Sequence, residues 1–395
     1  MRGGGVTPAL SVVVPVRNDP DHLHACLESL RASAQCDHEV IVVDDASTDT
    51  TAEVARKWGG RVLRMETRSG PAAARNRGAE AARGTYLLFV DADVCVHPET
   101  LSLVAAAFAS DPSIDALFGS YDCQPGSPNL LSQYKNLFHH FVHQQARTEA
   151  STFWSGCGAV KQSVFQELGG FDTSYDRPSI EDIELGARLR RAGHRIVVRK
   201  EVLATHLKRW TFWGILKSDV WDRGIPWTEL ALREGSLPND LNLMRSQRVA
   251  TLLVYLFVLL FSLGARQRPV LLLAPLLLVL GLVVLDSWSH REGRLPVVGL
   301  ALAVSTGLAG AAASVVVFAP WALVALGLIL AVVSINFRFY AFFARERGAL
   351  FAIVVLPIHL FYYFYSGLAL GLGVVRHFAS RFGRTRLGVA SRGRG

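Results

Sequence analysis

Beyond Arg248 the chain changes character, and that change bounds every fold open to it. Apolar runs cover about 249–265, 269–285, 296–318, 320–337 and 349–375, whereas charges are spread through everything before them. In a bilayer the backbone must satisfy its own polar groups, so such runs cross as helices, each needing about 20 residues within a range of roughly 17–25. The last three runs are long enough. The first two are short and joined by ARQRP, which suits a tight hairpin. Half of the 395 residues are hydrophobic, an excess that points to a membrane portion. An all-α transmembrane domain of four to five helices is expected over 236–375, followed by a basic tail at 376–395.

The first half alternates strands and helices. Leu10–Val16 (LSVVVPV) is a short β-branched run of the kind buried in a sheet. Leu23, Leu27 and Leu30 then recur at helical spacing. EVIVVDD gives a second buried strand, and TTAE at Thr50–Glu53 matches a capping box that opens a helix. RVLRM, GPAAARNRGAEAARG and YLLFVDADV read as strand, helix and strand. This alternation predicts an α/β fold with a mostly parallel sheet flanked by helices. Ligands of such sheets bind beyond the carboxyl ends of strands, where VRND, DDAST and DADV lie. A strand-like IDALFGSY and a helix from Leu130 to about Ala146 follow. His139, His140 and His143 on that helix have no evident carboxylate partner in sequence, which favours acceptor or interfacial contacts over metal.

Asp91 and Asp93 in LLFVDADVCV end an apolar strand, where like charges repel. Hard cations such as Mg2+ or Mn2+ bind through one or two carboxylates plus substrate phosphates. Residues i and i+2 of a strand point the same way, so both carboxylates converge on one cation provided the extended geometry persists. Asp44 and Asp45 exceed what helix capping by Ser47, Thr48 or Asp49 requires, and suit hydrogen bonds from a nucleobase or ribose. No GxGxxG follows the first strand, which disfavours a dinucleotide. Gly70, Arg75 and Arg77 read either as an exposed basic helix or as a helix N-terminus and an arginine facing a diphosphate. Five scattered cysteines without a CxxC pair predict reduced thiols and no zinc site. The N-terminus shows no signal peptide, and the +8 charge comes with no nucleic-acid-binding motif.

The order VVVPVRND, DDASTD, RNRG, DAD resembles the GT-A nucleotide-sugar domain of family 2 glycosyltransferases. SGCGAVKQSVFQELGGFD resembles that family's acceptor-side segment, and IEDIELGARLRRAGHRI its ED motif and following helix. The resemblance covers roughly residues 10 to 235. It implies that Pro15, Val16 and Asn18 line the base, that Asp44 contacts the uracil or ribose, and that Asp45 and Ser47 shape that loop. Arg75 would approach the phosphates, Asp91 would hold ribose or metal, and Asp93 would ligate the metal. Gly156 and its neighbours would border the donor sugar and acceptor. Asp182, with Glu181 beside it, would be the catalytic base, although acids at a helix start are also favoured by the helix dipole. In ATHLKRW, His206 is implied as a further metal ligand, and Arg209 and Trp210 match the RW of QxxRW. His206 stands where that motif has Gln, which puts processivity in doubt.

TFWGILKSDVWDRGIPWTELAL, from about 211, reads as an amphipathic segment on the membrane surface. With a cytosolic catalytic domain over 1–235 and five spans, the Arg-rich tail would end outside, against the positive-inside rule. Either the last run, interrupted by Pro357, is interfacial or re-entrant, or an earlier run does not span. The expectation is a multi-pass cell-membrane enzyme with a cytoplasmic catalytic domain. It would transfer a sugar, with inversion and metal dependence, from a UDP-linked or other nucleotide-sugar to a lipid or membrane-associated acceptor, as in cell-envelope lipid glycosylation. A processive polysaccharide synthase is one alternative. An inactive scaffold or transporter component is another, against which the intact DAD and ED stand.

Overall fold

A computed structural model describes residues 8–33, 36–235, 244–265 and 319–391. The expected runs at 269–285 and 296–318 lie outside the described residues. Two compact units emerge. The first holds the residues up to Ser127 together with Asn136–Lys208. The second holds Pro128–Lys135 and the described residues from Arg209 onward.

The first unit is built on eight strands: β1 (Leu10–Val16), β2 (His38–Asp44), β3 (Arg61–Arg64), β4 (Tyr86–Val90), β5 (Val94–Val96), β6 (Ala116–Tyr121), β7 (Cys157–Lys161) and β8 (Ile196–His206). They form one sheet in the order β3-β2-β1-β4-β7-β6-β8-β5. The β3-β2-β1-β4 half is parallel, β7 runs antiparallel to both β4 and β6, and β6 returns to parallel pairing with β8. Around the sheet lie α1 (Pro20–Ala32), α2 (Thr51–Trp58), α3 (Gly70–Ala81), α4 (Thr100–Ser110), α5 (Leu130–Gln145), which contributes to both units, α6 (Gln162–Glu167) and α7 (Glu181–Arg191). Val12, Val13 and Val14 have no exposed surface. That is why β1 reads as an unbroken apolar run rather than an alternating one: both faces are covered, at roughly 1.5–3 kcal/mol per buried side chain.

Two local events place the candidate site. The Val94 N–H donates to the Asp91 carbonyl at 3.0 Å, a turn that ends β4 at Val90. The strand that restarts as β5 pairs antiparallel with β8, Val94 opposite His206. Meanwhile β4 pairs with β7, Val90 opposite Cys157, so the Asp91 N–H donates to the Gly156 carbonyl at 3.3 Å. The helix expected from TTAE starts at Thr51, but the Thr50 side chain does not cap it. Instead the Asp49 carboxylate accepts from the Thr51 N–H at 3.0 Å. All five cysteines are free thiols.

The second unit contains α8 (Phe212–Leu216), a π-helical stretch (Lys217–Gly224), α9 (Ile225–Glu234), α10 (Arg245–Ala265), α11 (Ala319–Ile335), α12 (Phe337–Arg347) and α13 (Ala349–Ser391). Arg245–Leu263 and Ala349–Ser380 are long and apolar enough to cross a membrane. Leu323–Ile335 and Phe337–Arg347 form a pair bent by 70°. The break in the apolar half thus falls at Asn336. Pro357, expected to interrupt the last run, sits inside continuous helix. A membrane helix tolerates an internal proline when neighbours satisfy the freed carbonyls. At Asn336 the side chain compensates the bend. Its Nδ2 donates to the Val332 carbonyl at 2.9 Å, and its Oδ1 accepts from the Tyr363 hydroxyl at 2.9 Å. The Lys135 ammonium meets both Asp219 oxygens at 2.7 Å, and the Tyr365 hydroxyl donates to the same carboxylate.

Candidate active site

Arg75, buried on α3, joins two of the motifs. One guanidinium nitrogen donates to Asp91 Oδ1 at 2.6 Å and another to Glu181 Oε1 at 2.8 Å. Burial works against its charge, but Asp91 and Glu181 more than offset that and hold it above its ordinary range. Glu181 also accepts from the Ser179 N–H at 2.9 Å, which fixes the entry to α7. Arg75 is therefore occupied by carboxylates, and the expected approach to a diphosphate is not what its side chain does here. The same holds at the start of α3. The N–H groups of Ser69 and Gly70 donate to the two Asp45 oxygens at 2.7 and 2.9 Å, so that helix end is already capped. Gly70 is required there twice over: its φ is +86°, and an added Cβ would come within 2.4 Å of the Asp176 carbonyl.

The turn at Asp91 separates the two DAD carboxylates. Asp91 goes to Arg75, while Asp93 Oδ2 lies 3.5 Å from His206 Nε2. The condition for convergence, continued extended backbone, is not met. Burial pushes the Asp93 carboxyl up, but the His206 ring, Lys208 and His22 more than reverse this and leave it below the usual carboxylate range. Asp91 shifts upward, because burial and the Asp93 charge together exceed what Arg75 returns. A divalent cation is implied by the resemblance. A carboxylate and an imidazole nitrogen at this separation fit Mn2+ or Mg2+ if the remaining oxygens come from a diphosphate and water. Among the described residues no group of three His, Cys, Asp or Glu converges.

Asp182 opens α7 next to Glu181. Its Oδ2 accepts from the Ser155 N–H at 3.1 Å and its Oδ1 from the Ile183 N–H at 2.8 Å, while the side chain stays half-exposed. Beside Ser155, Gly156 lies under the Trp154 ring, and an added Cβ would meet that ring at 2.5 Å. Trp154 is held edge-on to Tyr121, with ring centroids 4.8 Å apart.

The carboxyl ends of β1 and β2 form the third part. Pro15 and Val16 pair with Val43 and Asp44. The Asn18 N–H donates to Ser47 Oγ at 3.0 Å, and Asn18 Oδ1 accepts from the Thr48 N–H at 2.9 Å. Asn18 and Ala46 hold φ of 51° and 54°, a left-handed conformation that favours glycine and is strained for alanine. The buried Asp44 accepts from the Ser47 N–H through Oδ1. Its Oδ2 makes no hydrogen bond among the described residues, and Arg64 Nε stands 3.6 Å away.

Arg75, Asp91, Asp93, Gly156, Glu181, Asp182 and His206 thus belong to one connected set in the first unit. Arg209 and Trp210 fall in the second unit, Arg209 exposed and Trp210 buried, with the Trp210 N–H donating to Ser132 Oγ at 2.7 Å. Ser155 is one of the neighbours of Gly156 that the resemblance pointed to, without a role of its own. Sequence reasoning missed Trp154, Tyr121 and Asn136, which are positioned by packing that leaves no pattern in the chain.

Residues 11–169 match the family model "Glycosyl transferase family 2". An uncharacterized glycosyltransferase of Haemophilus influenzae is 30% identical over 186 residues, covering 46% of this chain and 61% of the relative. The validoxylamine A glucosyltransferase of Streptomyces hygroscopicus subsp. limoneus is 29% identical over 230 residues, covering 49% of this chain and 50% of the relative. The chain therefore spans between half and three fifths of the length of these curated relatives. Among solved structures it is similar to a mannosyltransferase from Pyrobaculum calidifontis in complex with GDP-Man and Mn2+. The identity is 20%, the coverage 90% of this chain and 87% of the other, and the TM-score 0.45. The chain thus has a mostly parallel sheet with flanking helices, followed by apolar helices.

Proposed function

We propose that this protein is a membrane-associated, inverting glycosyltransferase. It moves a sugar from a nucleoside diphosphate donor, UDP-linked in the first instance, to a hydroxyl of a lipid or membrane-delivered acceptor. The observation that carries this reading is the Arg75 bridge. By gripping Asp91 and Glu181 together it ties the loop bearing Asp93 to the helix start bearing Asp182. The transfer named for the Streptomyces relative supports the reaction class. The apolar helices Arg245–Leu263 and Ala349–Ser380 support the membrane assignment.

In this mechanism Asp182 takes the proton of the acceptor hydroxyl as its oxygen attacks the anomeric carbon. The bond from that carbon to the diphosphate oxygen breaks on the opposite face, and the proton ends on the Asp182 carboxylate. The Ser155 N–H holds Asp182 in orientation. A cation held by Asp93 and His206 would supply charge that stabilises the departing diphosphate. Asp44 offers its Oδ2 to a base N–H once Arg64 moves aside, and the Asn18–Ser47–Thr48 contacts keep that loop in shape.

Purified full-length protein with Mn2+, membrane lipid extract and a panel of UDP- and GDP-sugars is expected to release nucleoside diphosphate from one donor. Asp182→Asn is expected to lower that rate by about 10²–10⁴-fold. Absence of release from every donor would overturn the assignment.

A further inference from the structure

We propose that Asn136 is a positioning residue that sets the tautomer of His206, so that Nε2 presents a lone pair toward Asp93 for a divalent cation. This rests on the reading that Asp93 and His206 hold such a cation.

His206 ends β8 and is buried, with its ring fixed from several sides. The Tyr121 ring stacks on it, centroids 4.4 Å apart and planes within 4°. On one edge Nδ1 lies 2.6 Å from Asn136 Oδ1, and on the other Nε2 lies 3.5 Å from Asp93 Oδ2. An amide oxygen can only accept, so Nδ1 must carry the hydrogen that it donates. In the neutral ring this leaves the lone pair on Nε2. Metal-binding histidines are commonly oriented this way, by an acceptor on the nitrogen that does not touch the metal. With the Asn136 amide reversed, an N–H would face Nδ1. The ring proton would then sit on Nε2, which could donate to Asp93 but not ligate.

Asn136 itself argues for this role. It is 1% exposed, and its Nδ2 finds no hydrogen-bond partner among the described residues. A buried donor without a partner is costly, and a leucine of similar size would avoid that cost. Its Oδ1, by contrast, is engaged by His206 Nδ1.

The test is Mn2+ affinity of the purified full chain in the presence of UDP, read from the electron paramagnetic resonance signal of free Mn2+. Asn136→Leu is expected to weaken Mn2+ binding about 10–100-fold. Asn136→Asp, which keeps an acceptor facing Nδ1, is expected to stay within about threefold of the parent or to bind more tightly. His206→Ala combined with Asn136→Leu should lose no more than His206→Ala alone, since the two act as a unit. A folded Asn136→Leu protein that binds Mn2+ like the parent, while His206→Ala does not, overturns the proposal. So does Asn136→Asp binding as weakly as His206→Ala, and that arm decides the matter if the leucine variant does not fold. If Asp93→Asn and His206→Ala both leave Mn2+ binding intact, the cation reading itself fails, and the positioning role falls with it. That pattern is distinct from the first two.

Discussion

Arg75 sits with a side-chain exposure of 5% between two acids drawn from distant parts of the chain. Replacing it with Met leaves Asp91 and Glu181 facing each other without a counter-charge. Breaking a buried pair in this way typically costs about 3–5 kcal/mol, and a lowered urea midpoint would report it. Arg75→Lys should recover little, because one ammonium cannot span both carboxylates as the forked guanidinium does. His143 gives the fold its own acid sensitivity. Burial, then the neighbouring His140, lowers its pKa from 6.5 to about 4, and its ring packs 5.0 Å from Trp154. As pH falls through 6.5 the unfolded chain takes up the proton first, and the folded chain follows only near 4. Stability is therefore full above about 6.5 and declines between 6.5 and 4, by up to about 3 kcal/mol. Unfolding midpoints at pH 7 and pH 5 should differ less in His143→Phe than in the parent.

The strands are the elements most openly written in the chain, because β1, β2 and β4 are covered on both faces and their apolar runs have no other use. Their tips are not. Whether Asp91 and Asp93 share a ligand depends on one hydrogen bond, from the Val94 N–H to the Asp91 carbonyl, which no residue pattern announces. Arg75 is legible in sequence only as a charge on an exposed basic helix or facing a diphosphate; its contacts with Asp91 and Glu181 depend on the depth at which α3 is buried. The same gap separates composition from geometry in the apolar helices. Hydropathy marks α10 and α13, whereas the 70° bend belongs to Asn336 and its bonds to Val332 and Tyr363, not to the proline that looked like the natural breaker. The segment from Thr211 folds as α8, a π-helical stretch and α9, with Trp213 69% and Trp221 55% exposed. Indoles in that setting favour the headgroup region. In nanodiscs, lipids brominated near the headgroup should quench more of the protein's fluorescence than lipids brominated at the chain ends. The difference should largely vanish in the Trp213→Phe, Trp221→Phe double variant, and a quenching depth unaffected by those changes would count against surface seating.

At the scale of the whole molecule, the +8 net charge hides a local reversal. Asp91, Glu181 and Asp182 gather around a single arginine, with Asp93 beside His206. A naked diphosphate approaching that acidic ground meets repulsion, whereas one already neutralised by a divalent ion does not. On the proposed cation reading this makes the ion an escort: nucleotide and ion should arrive as one complex, with neither stably lodged ahead of the other. Calorimetric titration with UDP should accordingly lose at least about tenfold in affinity, or 1.4 kcal/mol, when EDTA strips the solution of Mn2+.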